Sequence, residues 1–217
     1  MQLMIVTYFG KQFFKIQRGD MVLSFNPVSK SSKSGISAHF GADIALITTN
    51  HPDYNGIDQL SHGDRFPFAI TGPGDYEIKE ISVKGVLSNA KIAGKNYINT
   101  IYIFSMDNIN IVFLGALADG EISKEAREAI NGPDLLFVPA GGKESAGGAD
   151  LLDAKLAAKL ALSLEPKMII PMDFDDNSLK TFLKETGEEK AEVVEKLTLK
   201  LKDLEGEEGK VVVLKVA

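Results

Sequence analysis

Four short apolar runs constrain the fold of this chain most strongly, because each is followed at once by a loop of small or polar residues. Apolar runs of this length are typical of strands that are buried on both faces of a sheet. The runs cover residues 44–47, 111–114, 135–138 and 168–170, and they lead into His51, Gly115, Gly141 and Met172. Ligand clefts of α/β proteins lie at the carboxyl ends of such strands. We therefore predict that any functional site lies where these four loops meet.

The rest of the pattern favours sheets covered by helices. The first 25 residues predict strands, as do residues 68–71, 76–86, 197–201 and 211–216. Residues 101–104 and 109–114 predict a hairpin that turns at Asp107 and Asn108. Helical spacing is present at residues 122–130 and 179–183, and Gly187 is placed to end the second of these helices.

A leucine at every fourth position predicts one further amphipathic helix. The leucines are Leu152, Leu156, Leu160 and Leu164. Asp150 is placed to cap the start of this helix and Pro166 lies beyond its end. We expect all four leucines to face the sheet.

The composition argues against some classes of binding partner and excludes some kinds of catalytic chemistry. The formal charge of the 217-residue chain is −6 and no Lys/Arg cluster is present, which argues against nucleic acid and anionic membrane as partners. The sequence contains no cysteine, so disulfides, thiolate nucleophiles and cysteine-bound zinc are excluded. No apolar run approaches membrane-spanning length and no signal peptide is recognisable, so we expect one cytoplasmic domain over residues 1–217.

Several segments together resemble one known family. Residues 47–54 read I-T-T-N-H-P-D-Y, which is similar to a buried strand that runs into T-H-x-H-x-D-H. Further segments that resemble the same family are residues 8–16, 24–27 (S-F-N-P), 71–78 (T-G-P-G-D-Y-E-I), 99–102, 112–115 and 170–172. In this order and spacing they resemble the metallo-β-lactamase-fold superfamily, in particular its lactonase-like, zinc-dependent hydrolases. The resemblance implies an α/β fold, a four-layer αββα sandwich of the metallo-β-lactamase type.

The same resemblance shows that most metal-binding residues of that family are absent. His51 and Asp53 match the motif, whereas Thr49, Tyr54 and Asp173 stand where the family has histidine and Ala116 stands where it has aspartate. Asn26 replaces an aspartate, Lys11 follows Gly10 close to the site, and a further family histidine, in the loop before the hairpin, falls loosely at Asn89. The expected cleft therefore consists of Thr49, His51, Asp53, Tyr54, Ala116 and Asp173.

This residue set is poorly suited to a pair of metal ions. Zinc needs imidazole, thiolate or carboxylate donors at about 2.0–2.3 Å, and threonine and alanine cannot supply them. The chain has three histidines in all, and His39 and His62 lie in polar segments typical of solvated loops. We therefore expect no metal or other cofactor. The alternative is one divalent ion (Mn, Fe or Zn) bound by His51, Asp53 and Asp173.

Two functional hypotheses follow from the resemblance. The first is a pseudoenzyme with a binding or scaffold role, whose partner is a small molecule or a protein. The alternative is a hydrolase with a remodelled single-metal or metal-free site that acts on a small lactone or phosphorylated substrate. The glycine-rich residues 141–148 fail the phosphate-loop spacing because Lys143 is followed by Glu144. The strand at residues 197–201 is a possible edge for homo-oligomer formation.

Overall fold

The computed structural model describes residues 3–64, 66–142 and 150–217. The first of its two sheets contains six strands. They are β1 (Met4–Tyr8), β2 (Phe14–Arg18), β3 (Met21–Phe25), β4 (Ile44–Leu46) and β5 (Phe68–Ile70), with a late strand, Leu197–Leu199, that is β13 in chain order. The spatial order is β13-β1-β2-β3-β4-β5. Strands β13, β1, β2 and β3 pair antiparallel, whereas β3, β4 and β5 are parallel to one another.

The second sheet contains eight strands. They are β6 (Gly74–Ile78), β7 (Ile81–Ile92), β8 (Lys95–Met106), β9 (Ile109–Phe113), β10 (Leu135–Pro139), β11 (Met168–Met172), β12 (Glu192–Val194) and β14 (Lys210–Leu214). The order is β12-β14-β11-β10-β9-β8-β7-β6. Strands β9, β10, β11, β14 and β12 are parallel, and β6 to β9 form an antiparallel meander.

The predicted hairpin at Asp107 and Asn108 is confirmed. Both residues have positive φ angles, 55° and 62°, as a two-residue turn between twisted strands requires. The hairpin before it was not predicted, because β7 continues past the expected end at residue 86 to Ile92 and pairs with β8 from its first residue. Polar residues within 87–99 interrupt the apolar alternation, so the sequence pattern does not predict this part of the strand.

The α/β sandwich is also confirmed. Apolar side chains of both sheets form the central layer, in which the ring of Phe25 stacks on that of Phe113 at 4.8 Å. The helices α1 (Lys124–Ala129), α2 (Ala154–Ser163) and α3 (Asp176–Thr186) pack on the outer face of the eight-stranded sheet. The outer face of the other sheet is covered largely by residues of the 27–43 segment, including Ile36 and Phe40.

The predicted leucine face of α2 is only partly correct. Leu160 is 3% exposed, and Leu152 and Leu164 are also buried, but Leu156 is 50% exposed. Each four-residue step advances about 400° around a helix, so a repeat of four drifts by about 40° per step. Within the helix, the buried face is formed by Leu160 and four alanines, Ala154, Ala157, Ala158 and Ala161. Leu156 therefore points away from the sheet.

The helix termini follow ordinary capping rules, with one correction to the sequence analysis. Asp153 caps α2 by accepting a hydrogen bond from the backbone N–H of Lys155, whereas Asp150 lies before the helix and was wrongly assigned as its cap. Asp175 caps α3 in a capping box with Ser178. Gly187 ends α3 in the left-handed conformation, φ 76°, as predicted.

Strand β13 lies at an edge of its sheet and is shorter than predicted, because a 3-10 turn begins at Leu201. In the described part of the chain, none of the helices combines the length and apolar character needed to cross a bilayer.

Candidate functional site

The four loops singled out by the sequence start from strands of both sheets. Strands β9, β10 and β11 are parallel neighbours in the eight-stranded sheet, whereas β4 belongs to the six-stranded sheet. The loop after β4 therefore reaches the loop after β11 across the end of the sandwich. The contact is direct, because the Tyr54 hydroxyl donates a 2.8 Å hydrogen bond to Oδ2 of Asp173. Both residues are buried.

Asp53 forms an ion pair with Lys11, a residue expected close to the site but not within the cleft. The Lys11 ammonium donates a 3.0 Å hydrogen bond to Oδ2 of Asp53. The Ser32 hydroxyl donates to the other carboxylate oxygen, which ties the 27–43 segment to this loop. The Lys11 Nζ atom also lies 6.0 Å from the ring centroid of Tyr54. Asp53 therefore has both a cationic and a neutral donor.

The hydrogen-bonded network extends from Asp173 through three buried polar side chains, which are Gln12, Asn26 and Thr48. Gln12 donates to Oδ2 of Asp173 at 3.4 Å. Asn26 donates to Oε1 of Gln12 at 2.9 Å and to the Thr48 hydroxyl at 2.8 Å. The backbone N–H of Asp173 donates to the Tyr8 hydroxyl at 3.3 Å. A continuous chain of hydrogen bonds therefore joins the loops after β1, β3, β4 and β11.

Thr49 and Ala116 meet at Asn99. The Asn99 side-chain oxygen accepts a 2.9 Å hydrogen bond from the backbone N–H of Ala116 and a 3.2 Å bond from the Thr49 hydroxyl. Gly115 makes this approach possible, because it adopts φ 67° and a Cβ there would lie 2.4 Å from the same oxygen. Neither Thr49 nor Ala116 offers a metal-binding atom of the kind that zinc prefers.

Apolar side chains fill the space around Tyr54 and Ala116. The two residues share one buried cluster with Ala90, Ile92 and Leu151, and Tyr97 packs against it. The expected site residues Tyr54 and Ala116 thus lie in a packed, buried interior.

His51 lies beside this apolar cluster and is partly exposed to solvent. Its Nδ1 atom accepts a 3.3 Å hydrogen bond from the backbone N–H of Asp53 and lies 4.0 Å from Oδ2 of that residue. The ring packs edge-on against Tyr97 at 5.8 Å, and 23% of the side chain is exposed. His39 and His62 are exposed, as expected for loop residues.

Burial controls the titration of the two central groups. Burial raises the pKa of Asp173, while the Lys11 charge and the hydrogen bonds from Tyr54 and Gln12 act in the opposite direction. Burial and the neighbouring Asp173 carboxylate raise the pKa of the Tyr54 hydroxyl well above its ordinary value. Tyr54 therefore keeps its proton at neutral pH and acts as a hydrogen-bond donor.

Backbone conformation at the site is strained. Lys11, Asn26 and Asp173 adopt positive φ angles of 51°, 41° and 51°. Residues other than glycine take this conformation at a cost, and such residues concentrate at functional sites. All three belong to the hydrogen-bonded network.

The donor set does not fit the dinuclear metal centre of the resembling hydrolases. Within residues 3–64, 66–142 and 150–217, no three His, Asp or Glu side chains are arranged to hold a metal ion. Asp53 is already paired with the Lys11 ammonium, and Asp173 with the Tyr54 hydroxyl. A metal bound to the Oδ2 atom of either carboxylate would have to displace these donors.

One loose assignment was wrong and several network residues were missed. Asn89 lies within strand β7, not in a loop, and its side chain is exposed. Gln12 and Ser32 were missed because isolated polar residues in turns are common. Asn99 was missed because a single polar residue within a strand, followed by Thr100, carries no distinct signal. The glycine-rich residues 141–148 lie mostly outside the described residues.

Comparison with known proteins agrees with this fold. The sequence profile of the family described as Beta-lactamase superfamily domain matches residues 5–173. No protein with a curated description matches the sequence.

Solved structures extend the similarity over nearly the whole chain. A candidate Zn-dependent hydrolase of the metallo-beta-lactamase superfamily from Thermotoga maritima is 24% identical, with a TM-score of 0.73 over 97% of this chain and 98% of that one. A metallo hydrolase from Ignicoccus hospitalis is 17% identical, with a TM-score of 0.61 over 92% and 99%. An isothiocyanate hydrolase from Delia radicum gut bacteria is 10% identical, with a TM-score of 0.63 over 98% and 97%.

Proposed function

Because the chain belongs to the beta-lactamase superfamily, we propose that it is a metal-independent member with a binding or scaffold role in place of hydrolysis. Hydrolysis in a metal-dependent site needs a bound water whose pKa the metal lowers to near 7. The side chains at the corresponding loops of this chain hold each other instead of a metal. The proposed partner is a small molecule or a protein.

The hydrogen bond from Tyr54 to Asp173 is the observation that carries this proposal. It joins two positions at which the resembling hydrolases have histidine, and it leaves a phenol and a carboxyl group bound to each other. The surrounding apolar cluster includes Ala116, a third altered position. Together these contacts give the loop ends a stable packing that needs no ion, which is what a retained fold with a new role requires.

A hydrolase with a remodelled site is the second candidate. Its support is the strained backbone at Lys11, Asn26 and Asp173, since strain of this kind occurs at functional positions as well as in tight turns. His51 and Asp53 are adjacent and His51 is partly exposed, so a single Mn, Fe or Zn ion bound with Asp173 is the form this hydrolase would take. Its substrate would be a small lactone or a phosphorylated compound.

Metal content separates the two candidates. We would purify the protein without chelator, measure zinc, manganese and iron by elemental analysis, and compare thermal melts with and without EDTA. The binding or scaffold role predicts a metal content far below one ion per chain and the same melting temperature in EDTA. A stoichiometric metal with a melting temperature that falls in EDTA would reject it.

Activity assays complete the test. The purified protein, with and without added zinc or manganese, would be assayed on lactones and phosphoesters beside a zinc-dependent hydrolase of the family as positive control. We expect no turnover above that of a protein-free blank. Metal-dependent turnover that is lost in His51→Ala would establish the second candidate.

A further inference from the structure

Lys11 occupies an unusual position for a lysine. It lies in the turn after β1 with φ 51°, and its side chain is 5% exposed. Its backbone carbonyl accepts a 2.8 Å hydrogen bond from the Tyr8 hydroxyl, which holds the turn in place. The ammonium group therefore points into the site and not into solvent, where lysine side chains normally end.

The charge around this ammonium group is negative. Its Nζ atom lies 3.0 Å from Oδ2 of Asp53, and its charge also acts on Asp173. These two aspartates come from the loops after β4 and β11, which belong to different sheets. Two buried carboxylates in one site need a compensating cation, because burial of an unpaired charge is costly.

We propose that Lys11 is the resident cation of this site and that its ammonium group takes the place of a divalent metal ion. The ammonium binds the carboxylate of the retained motif residue Asp53 and compensates the charge of Asp173. It thereby compensates the negative charge that the two loops bury and keeps divalent cations out. This inference rests on the proposed metal-independent function and adds the residue responsible for it.

The inference is tested with variants that remove or retain the positive charge at position 11. Lys11→Met keeps much of the side-chain length and removes the charge, whereas Lys11→Arg retains a cation. The matched control is Lys167→Met, because Lys167 pairs with another buried aspartate, Asp134, at 2.7 Å and has no contact with the site. Each protein would be melted in EDTA and in millimolar MnCl2, and Mn²⁺ binding would be measured by calorimetry. Manganese suits a set of one imidazole and two carboxylates.

We expect Lys11→Met to melt about 10 °C below the wild type in EDTA, since it leaves buried carboxylates uncompensated. MnCl2 should then raise its melting temperature by about 5 °C or more, because a cation that binds only the folded state stabilises it. The wild type, Lys11→Arg and Lys167→Met should not respond to Mn²⁺. A folded Lys11→Met protein that neither binds Mn²⁺ nor melts at a higher temperature with it would overturn the inference and leave the proposed function standing.

Two other outcomes are also decisive. If the wild type binds Mn²⁺ as tightly as Lys11→Met, both the inference and the metal-independent function are wrong. If Lys11→Met is unfolded in EDTA, it would be refolded with and without MnCl2. A higher yield of folded protein with Mn²⁺ supports the inference, and an equal yield rejects it.

Discussion

The hydroxyl of Tyr54 donates a 2.8 Å hydrogen bond to a carboxylate oxygen of Asp173, a residue 119 positions further along the chain. Tyr54 follows a strand of the six-stranded sheet, and Asp173 follows a strand of the eight-stranded sheet. The bond therefore joins the two halves of the sandwich at the end where the resembling hydrolases carry their metals. Tyr54→Phe, Asp173→Asn and the restoration of the lost ligands each test this bond or the residues around it.

Tyr54→Phe should lower the free energy of unfolding by about 1–3 kcal/mol, because it leaves a buried carboxyl group without one of its donors. Urea denaturation at neutral pH would measure the change. Tyr76→Phe is the control, since the Tyr76 hydroxyl donates to the Gly72 carbonyl at 3.0 Å in a half-buried position. Equal losses in the two variants would mean that the Tyr54 hydroxyl has no special role.

Asp173→Asn should change how stability depends on pH. Burial raises the pKa of Asp173, so the folded state binds its proton more tightly than the unfolded state does. The stability contributed by that proton is fully present below the ordinary pKa of 3.8 and is lost as pH rises through the raised value. The asparagine variant should therefore gain stability relative to wild type as pH rises above 3.8. Asparagine also tolerates the positive φ at this position.

Asp175→Asn provides a control of opposite sign. Hydrogen bonds from the first turn of α3 lower the pKa of Asp175, so its contribution is present above the ordinary pKa and is lost as pH falls through the lowered value. Urea denaturation across the pH range should show the two variants diverging from wild type in opposite directions. A parallel pH dependence in wild type and Asp173→Asn would contradict the assignment for Asp173.

Leu160→Ala should cost about 2–5 kcal/mol, whereas Leu156→Ala should cost less than about 1 kcal/mol. Leu160 is buried among the residues that join α2 to the sheet, and half of Leu156 is exposed. Chemical denaturation of the two variants would measure the difference. A loss at Leu156 as large as that at Leu160 would show that α2 presents a different face to the sheet.

The sequence could predict the sheets, the helices and the meeting of distant loops, because these follow from apolar runs and their order. It could not predict which side of α2 is buried, since leucines four residues apart drift around the helix and most of the buried positions are alanines. The sequence also could not predict which segment packs on the outer face of the six-stranded sheet. Residues 27–43 have no periodic pattern, and Ile36 and Phe40 are partly buried by tertiary packing alone.

The sequence could predict which altered motif residues form the candidate site. It could not predict the hydrogen bonds and ion pairs that connect them. Tyr54, Ala116 and Asp173 could be placed together because each follows an apolar strand. The partner of Asp53 could not be predicted, because the direction of the Lys11 side chain depends on a left-handed turn between β1 and β2. Asn99 is likewise a strand residue whose role emerges only when the loops after β4 and β9 meet.

The last prediction concerns restoration of the lost ligands. The set Thr49→His, Tyr54→His, Ala116→Asp and Asp173→His returns imidazoles and a carboxylate to the loops beside His51 and Asp53. With Lys11 in place, its ammonium group still competes for Asp53, so we expect weak zinc binding. Adding Lys11→Ala should tighten zinc binding at least tenfold, about 1.4 kcal/mol, because the competing charge is removed.

Calorimetry with zinc and melts with and without EDTA would compare the four-residue set, the five-residue set and Lys11→Ala alone. The single variant is the control, because it removes the lysine without restoring any imidazole. If both sets fold and bind zinc equally, Lys11 does not compete with metal. If neither folded set binds zinc, the loops after β4, β9 and β11 no longer hold the geometry of the hydrolases. That result would favour a site remodelled in its backbone as well as its side chains, consistent with the strain at Lys11, Asn26 and Asp173.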